Sequence, residues 1–561
     1  MKSSNIIIIF LLAIILSSCR SATDRQDELP LFDTTLITEA QNLIGLKFDT
    51  AEQNMMRKNL SDYLVSYENM RQVRLENSVA PALIFKPLIS HIDPLSQGEC
   101  QYMPYPELKR PESDIDLAFM TVGQLSWLYR SGQVSSVELT NIYLDRLKKH
   151  NDSLNCVVSL TENLALEQAR QADKDFAEGN YRGPLHGIPY GVKDLLAVEG
   201  YKTTWGARPY ENQLIDETAT VVKKLEEAGA VLVAKLSMGA LAMGDRWFGG
   251  RTNNPWDLSQ GSSGSSAGSA AATSAGLVGF AIGTETLGSI VSPSSRCGVT
   301  GLRPTFGSVS RAGAMSLSWS MDKIGPICRS AEDCAIVFDV IRGEDGIDHS
   351  VSDRPFAYDA GSGIEDLRIG YFEDAFKERR SRQSNAADVL RVFRKMGIRP
   401  EPVNIEFKGT PVESMQIILT AEASAAFDEL TRYDLDTLLT SQLSWSWPNT
   451  FRSGRFITAV EYIQANRHRS VLMQQMEKLM NNYDVIITPS FGGDQLLITN
   501  LTGHPCVVVP NGFDNKGNPT SISFIGGLNG EEAILRVANK YQEVTFWNKM
   551  HPPLFQDKRQ R

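Results

Sequence analysis

The chain has 561 residues, with 56 Lys and Arg against 66 Asp and Glu, 42% hydrophobic residues, 43 Gly and 7 Cys. A charged fraction of 22% beside ample aliphatic side chains excludes a mostly disordered protein, and so few cysteines exclude a disulfide-stapled mini-domain. The net charge of −10 argues against a nucleic-acid partner, which would need a basic face, and no long Lys/Arg run supplies one locally. At about 150 residues per domain, length alone suggests three or four domains.

Residues 1–20 carry one lysine, an unbroken apolar run over 6–16, and then small residues. As a helix that run spans about 16 Å against about 30 Å of bilayer hydrocarbon, so it reads as a signal peptide and not as a membrane span. Leu16-Ser17-Ser18-Cys19 resembles the lipobox of bacterial lipoproteins, in which cleavage precedes a cysteine that then carries lipid. An ordinary secretory signal with a chance cysteine is the alternative. The lipoprotein reading divides the start into a signal peptide at 1–18 and a lipidated Cys19 with a flexible tether at 19–34. It implies an exported protein, held to a bacterial membrane by its N-terminal lipid. The Arg20 that follows resembles lipoproteins passed to the outer membrane, so that membrane or the periplasmic face is favoured. The other six cysteines form no CxxC, and the seven histidines no H-E-x-x-H, so no metal site is expected. Cys297, in a Gly-rich setting, reads as a buried thiol.

A helical N-terminal region is expected over 35–114, and an amphipathic helix over 121–150. In the latter, Ser135 and Glu138 have capping-box spacing and Leu139, Tyr143 and Leu147 repeat at i+4. A similar helix covers 164–176. Short apolar runs at 188–192, 231–236, 277–282, 485–487 and 506–509 read as strands, with helical stretches such as 220–228 between them. Strands alternating with helices predict a layered α/β body. Residues 375–480 are more helical and contain Trp445-Ser446-Trp447, expected to pack in a core or lid in preference to stacking on substrate.

The stretch 260–273, QGSSGSSAGSAAAT, has linker composition but runs directly into small residues suited to a closely packed helix. A strand and a second Gly/Ser turn, Gly283-Thr284-Glu285-Thr286-Leu287-Gly288-Ser289-Ile290, follow. Two such turns flanking one helix–strand unit look like a site, because Gly lets backbone N–H groups approach a ligand. Gly264-Ser265-Ser266-Ala267-Gly268 fits the G-x-S-x-G nucleophile elbow with Ser266 as nucleophile, but no strand is read immediately before it. Ser320-Met321-Asp322-Lys323 fits S-x-x-K, but no K-T-G follows.

A third reading assembles more of the chain. Lys193 ends the apolar run in Leu185-His186-Gly187-Ile188-Pro189-Tyr190-Gly191-Val192-Lys193-Asp194, and a lysine in an apolar setting is disfavoured in its charged form and can act as a base. This run, the two Gly/Ser turns, the segment 297–305, Asp322-Lys323-Ile324-Gly325-Pro326 and Asn500-Leu501-Thr502-Gly503-His504-Pro505 together resemble the amidase signature family over about 115–548. The resemblance implies one large α/β core over 115–550, a mixed twisted sheet covered on both faces by helices, with a Ser–cisSer–Lys triad. Carried over by motif, the nucleophile is Ser289, the bridging serine after a cis peptide bond is Ser265, 24 residues earlier, and the base is Lys193. The backbone N–H groups of Thr286, Leu287, Gly288 and Ser289 would form the oxyanion hole. No metal or organic cofactor is implied.

Two departures narrow the substrate. Leu287 stands where many members have Gly, so a side chain projects near the acyl site. Val291 stands where an Arg is common, which removes a guanidinium for a substrate carboxylate. Val291, the segment 235–240 and the signal peptide all depart from the glutaminase subunit of tRNA-dependent amidotransferases. The expectation is an anchored amidohydrolase that cleaves a small-molecule or peptide amide to carboxylate plus ammonia or amine. An esterase of the same mechanism and a non-catalytic ligand-binding surface lipoprotein are the alternatives.

Overall fold

The structure, a computed structural model, describes residues 32–43, 46–73, 99–377, 385–404, 407 and 409–556. The signal, Cys19 and most of the tether lie outside the described residues. The chain forms two compact units, residues 1–65 and 66–561. The first carries the helix Thr34–Leu43 and the start of the helix Thr50–Arg71; the rest of this description concerns the second.

The single helix expected over 121–150 is two, Val122–Arg130 and Ser136–Leu154. Thr121 and Gln124 close a reciprocal capping box at the start of the first. It ends where Gly132 takes φ 69°, a left-handed conformation that glycine adopts without a Cβ penalty. The Gly132 and Gln133 N–H groups then bond the Tyr129 and Leu128 carbonyls, a Schellman closure hidden inside an apolar repeat. Ser135 caps the second helix by accepting from the Glu138 N–H, while the Glu138 carboxylate pairs with Arg110 and does not close the capping box that its spacing predicts.

The strands in chain order are β1 (Val157–Leu160), β2 (Pro189–Lys193), β3 (Val231–Leu236), the short β4 (Arg246–Trp247), β5 (Gly250–Arg251), β6 (Asn253–Asn254) and β7 (Asp257–Gly261), then β8 (Phe280–Glu285), β9 (Thr300–Arg303), β10 (Lys323–Cys328), β11 (Ile369–Phe372), β12 (Glu401–Val403), β13 (Val485–Pro489), β14 (Cys506–Phe513) and β15 (Pro519–Gly526). Among the described residues, eleven of them form one mixed sheet in the order β1-β3-β2-β8-β10-β9-β14-β15-β13-β11-β12, flanked by helices, while β4–β5 and β6–β7 are separate two-stranded ribbons. Every residue of β2, β3, β8 and β10 is buried, which explains why 188–192 and 231–236 read as continuous apolar runs and do not alternate.

β2 and β8 pair in parallel, with Tyr190 opposite Phe280 and Val192 opposite Ile282, so their carboxyl ends emerge side by side. Ligand sites in open α/β sheets form at such ends. The strand expected over 277–282 begins three residues later. The helix Ala267–Ser274 closes with the Gly276 and Leu277 N–H groups on the Thr273 and Ala272 carbonyls, which carries the chain through a bend before β8. Leu277 and Val278 are core residues in that bend, so their apolar character reports burial and not strand. Arg146 donates to the Ala275 and Gly276 carbonyls, and Arg329 to those of Thr273 and Val278. These buried cations satisfy carbonyls of the helix's last turn and of the bend after it, and complement the helix dipole.

Candidate active site

Lys193 is the last residue of β2 and is 0% exposed. Its Nζ lies 2.8 Å from Ser265 Oγ, 2.8 Å from Thr284 Oγ1 and 3.3 Å from the Thr284 carbonyl. Burial lowers its pKa from 10.5 to about 7, against the opposing pull of Asp322 and Glu285. Asp194, the next residue, is fixed by a fully buried ion pair to Lys235 at 3.0 Å and by the Thr204 N–H at 3.0 Å.

Ser265 follows a cis peptide bond from Gly264, and its carbonyl accepts from the Gly239 N–H at 3.2 Å. Gly264 packs so tightly on the Gly244 carbonyl that a Cβ would stand 1.8 Å from that oxygen, a contact only glycine permits. Ser266 is structural. Its buried hydroxyl donates to the Thr284 carbonyl and accepts from the Thr284 N–H, each at 3.1 Å. The short strand β7 does precede this turn, unlike the sequence expectation, but it belongs to a separate ribbon and not to the main sheet. Ser320 and Lys323 do not pair either. The Ser320 hydroxyl donates to Glu422 and accepts from Arg469, each at 2.7 Å, while the Lys323 amine donates to the Met321 carbonyl.

Ser289 sits beside this turn, its carbonyl accepting from the Ser266 N–H at 3.2 Å. It is 7% exposed, and among the described residues its hydroxyl makes no hydrogen bond. Nor does any described group accept from the N–H groups of Leu287, Gly288 and Ser289. A loop with unspent donors beside a free serine hydroxyl can receive a developing oxyanion.

Two buried carboxylates hold this loop from either side. Glu285 accepts from the Ile290 and Val291 N–H groups at 2.9 and 3.0 Å through one oxygen, and from Arg303 Nη1 and Asn500 Nδ2 at 2.8 Å through the other. Burial alone would raise its pKa; the Arg303 charge and these hydrogen bonds bring it down to about 2. Asp322 accepts from the Thr286 hydroxyl at 2.6 Å and from the Leu317 and Ser318 N–H groups. Its own pKa is raised by burial.

The amidase family profile matches residues 138–498, more than half of the chain. The chain belongs to the amidase family. Among curated amidase relatives, one subunit of the glutamyl-tRNA(Gln) amidotransferase of Methylococcus capsulatus is 32% identical over 480 residues, 77% of this chain and 98% of its own length. The same subunit of the Acinetobacter baumannii enzyme is 33% identical over 484 residues, 77% and 97% of the two chains. The peptide amidase of Stenotrophomonas maltophilia superimposes with a TM-score of 0.70 at 26% identity, covering 79% of this chain and all of its own. The chain is an amidase enzyme with the amidase α/β fold.

Within this amidase, sequence reading missed Thr284, which accepts from Lys193, and Glu285 and Asp322, which brace the loop that carries Ser289. Arg303, Asn500 and Asp322 lay inside motifs already singled out, so their presence was visible and their partners were not. Val291 is buried, and its N–H is spent on Glu285. The Arg303 guanidinium is committed to that same carboxylate.

Proposed function

We propose that this amidase hydrolyses a carboxylic amide through an acyl-enzyme on Ser289. The observation that carries the reading is the fully buried Lys193 amine 2.8 Å from Ser265 Oγ. A neutral amine has two N–H donors and one lone pair. With Thr284 Oγ1 and the Thr284 carbonyl taking the donors, the lone pair is left for the Ser265 hydroxyl. Lys193 then takes the Ser265 proton as Ser265 takes that of Ser289, and Ser289 attacks the carbonyl. The oxyanion falls to the N–H groups of Thr286, Leu287, Gly288 and Ser289; one such donor is typically worth about 3–4 kcal/mol of barrier. Ammonia or an amine departs with the proton relayed back through Ser265, and water releases the acid. Acyl transfer of this kind needs no group beyond these side chains.

The chain works, on this reading, outside the cytoplasm, lipidated at Cys19 and held to a bacterial membrane, with a small-molecule or peptide amide as substrate. The curated relatives favour a second reading, as one component of an amidotransferase. Val291 in place of the common Arg and the exported N-terminus that residues 1–19 spell argue for the free-standing hydrolase.

A panel of primary amides and matched esters, assayed for released acid and ammonia with the isolated full chain, tests this. Ser289-dependent ammonia release supports the amidase, faster turnover of the esters would make it an esterase, and turnover only with added partner subunits would favour the amidotransferase. A fluorophosphonate probe should label Ser289, and a folded sample that neither labels nor turns over would leave a ligand-binding lipoprotein.

A further inference from the structure

The two tryptophans of the helical region part company. Trp447, at the start of the helix Trp447–Gly454, is 7% exposed, stacks on Phe451 at 5.0 Å, and donates its indole N–H to the Leu241 carbonyl at 2.8 Å. It packs, as the sequence predicts. Trp445 is 65% exposed and has, among the described residues, neither a ring partner nor a hydrogen bond. An indole is among the largest apolar groups a protein can bury, so one left unpartnered beside a cavity marks a surface waiting for a ligand.

The cavity has a volume of about 130 Å³ and is walled by Trp445, Met243, Leu439, Trp447 and Pro448, with Asp245 and Arg246. Asp245 and Arg246 carry opposite charges, and Asp245 is already engaged by the Ser263 N–H at 3.1 Å, so the pocket offers a ligand no net charge. A cavity of about 150 Å³ holds one benzene ring. This one therefore suits a single neutral ring, not a long acyl chain or an ammonium group.

Its wall is also the support of the catalytic turn. The stretch 239–245 supports residues 263–265: the Asp245 carboxylate accepts from the Ser263 N–H, Gly264 packs on the Gly244 carbonyl, and the Gly239 N–H donates to the Ser265 carbonyl. Ala240 and Met243 face the aromatic cavity, while Ala242 faces a smaller one shared with Thr284, Thr286 and Asp322. Leu241 and Ala242 take φ of 49° and 63°, left-handed values that non-glycine residues keep only where their surroundings enforce them, often at ligand clamps.

We propose that this cavity is a subsite for a phenyl-sized ring of the amide substrate, with Trp445 as its stacking wall. The assignment rests on the Ser289 hydrolase reading and narrows its substrate to amides bearing an aryl group near the scissile bond. Two measurements on the full chain test it. In the first, kcat/KM is compared for 3-phenylpropionamide and propionamide, which differ only by the ring. The wild type should favour the phenyl amide tenfold or more, Trp445→Ala should lower that ratio about tenfold, and Trp445→Phe should keep most of it; a ratio that does not move in Trp445→Ala overturns the subsite. In the second, calorimetry follows binding of the same two amides to Ser289→Ala with and without Trp445→Ala. Ring-dependent binding that Trp445→Ala abolishes supports the subsite even if no amide is turned over, an outcome that would remove the hydrolase reading alone. Equal binding of the two amides overturns it whatever the turnover.

Discussion

Replacing Lys193 with alanine should lower kcat for amide hydrolysis by about 10⁴ or more, and the wild type should lose activity about tenfold per pH unit below about pH 7. Both expectations come from one side chain. Lys193 is sealed from water, and burial brings its pKa to about 7. Only the unprotonated amine can take the Ser265 proton, so the working fraction falls with each step into acid and by pH 5 stands near one hundredth. Ser289→Ala should cost as much as Lys193→Ala. The double variant should be no worse than either, because residues that act as a unit do not contribute additively. Circular dichroism and melting would establish that each variant is folded. A profile flat down to pH 5 contradicts a lysine base.

Glu285→Ala should destabilise the protein by about 3–5 kcal/mol and depress its melting temperature accordingly. The carboxylate is fully buried and joins two N–H groups, the Arg303 guanidinium and the Asn500 amide. Removing it leaves Arg303 charged in the interior with, among the described residues, only the His504 carbonyl for a partner. Replacing both ends together, Glu285→Gln with Arg303→Met, should cost less than Glu285→Ala alone, since no charge is then stranded. Activity should fall as well, because the Ile290 and Val291 N–H groups that Glu285 holds directly follow Ser289. An unchanged melting temperature in Glu285→Ala would refute this account.

The residues of the proposed triad were legible because each lies in a short motif and the motifs come in a fixed order. The strand over 231–236 was legible to the residue, since a strand buried on both faces is an unbroken apolar run. Gly132 was not, because the apolar repeat continues on either side of it and periodicity alone does not register a closure of two hydrogen bonds. Leu277 and Val278 misled for a related reason, as burial in a bend and burial in a strand leave the same mark. The bracing of the loop around Ser289 was out of reach. Glu285 meets Asn500 only because separate parts of the chain close around one core, and nothing local to either residue records that. The tryptophans mark the same boundary. Two identical residues, two positions apart, share one sequence expectation, and the fold gives them opposite fates.

The burial that lowers the pKa of Lys193 also acts on folding itself. In the unfolded chain its amine returns to water and to a value near 10.5, against about 7 in the fold. Between those values the unfolded chain carries a proton that the folded one lacks, so folding there releases a proton and unfolding takes one up. The contribution of this group to stability rises by about 1.4 kcal/mol per pH unit from about pH 7 to about pH 10.5, and its full penalty is present below pH 7. At neutral pH the rest of the core must offset most of that penalty before the site exists at all.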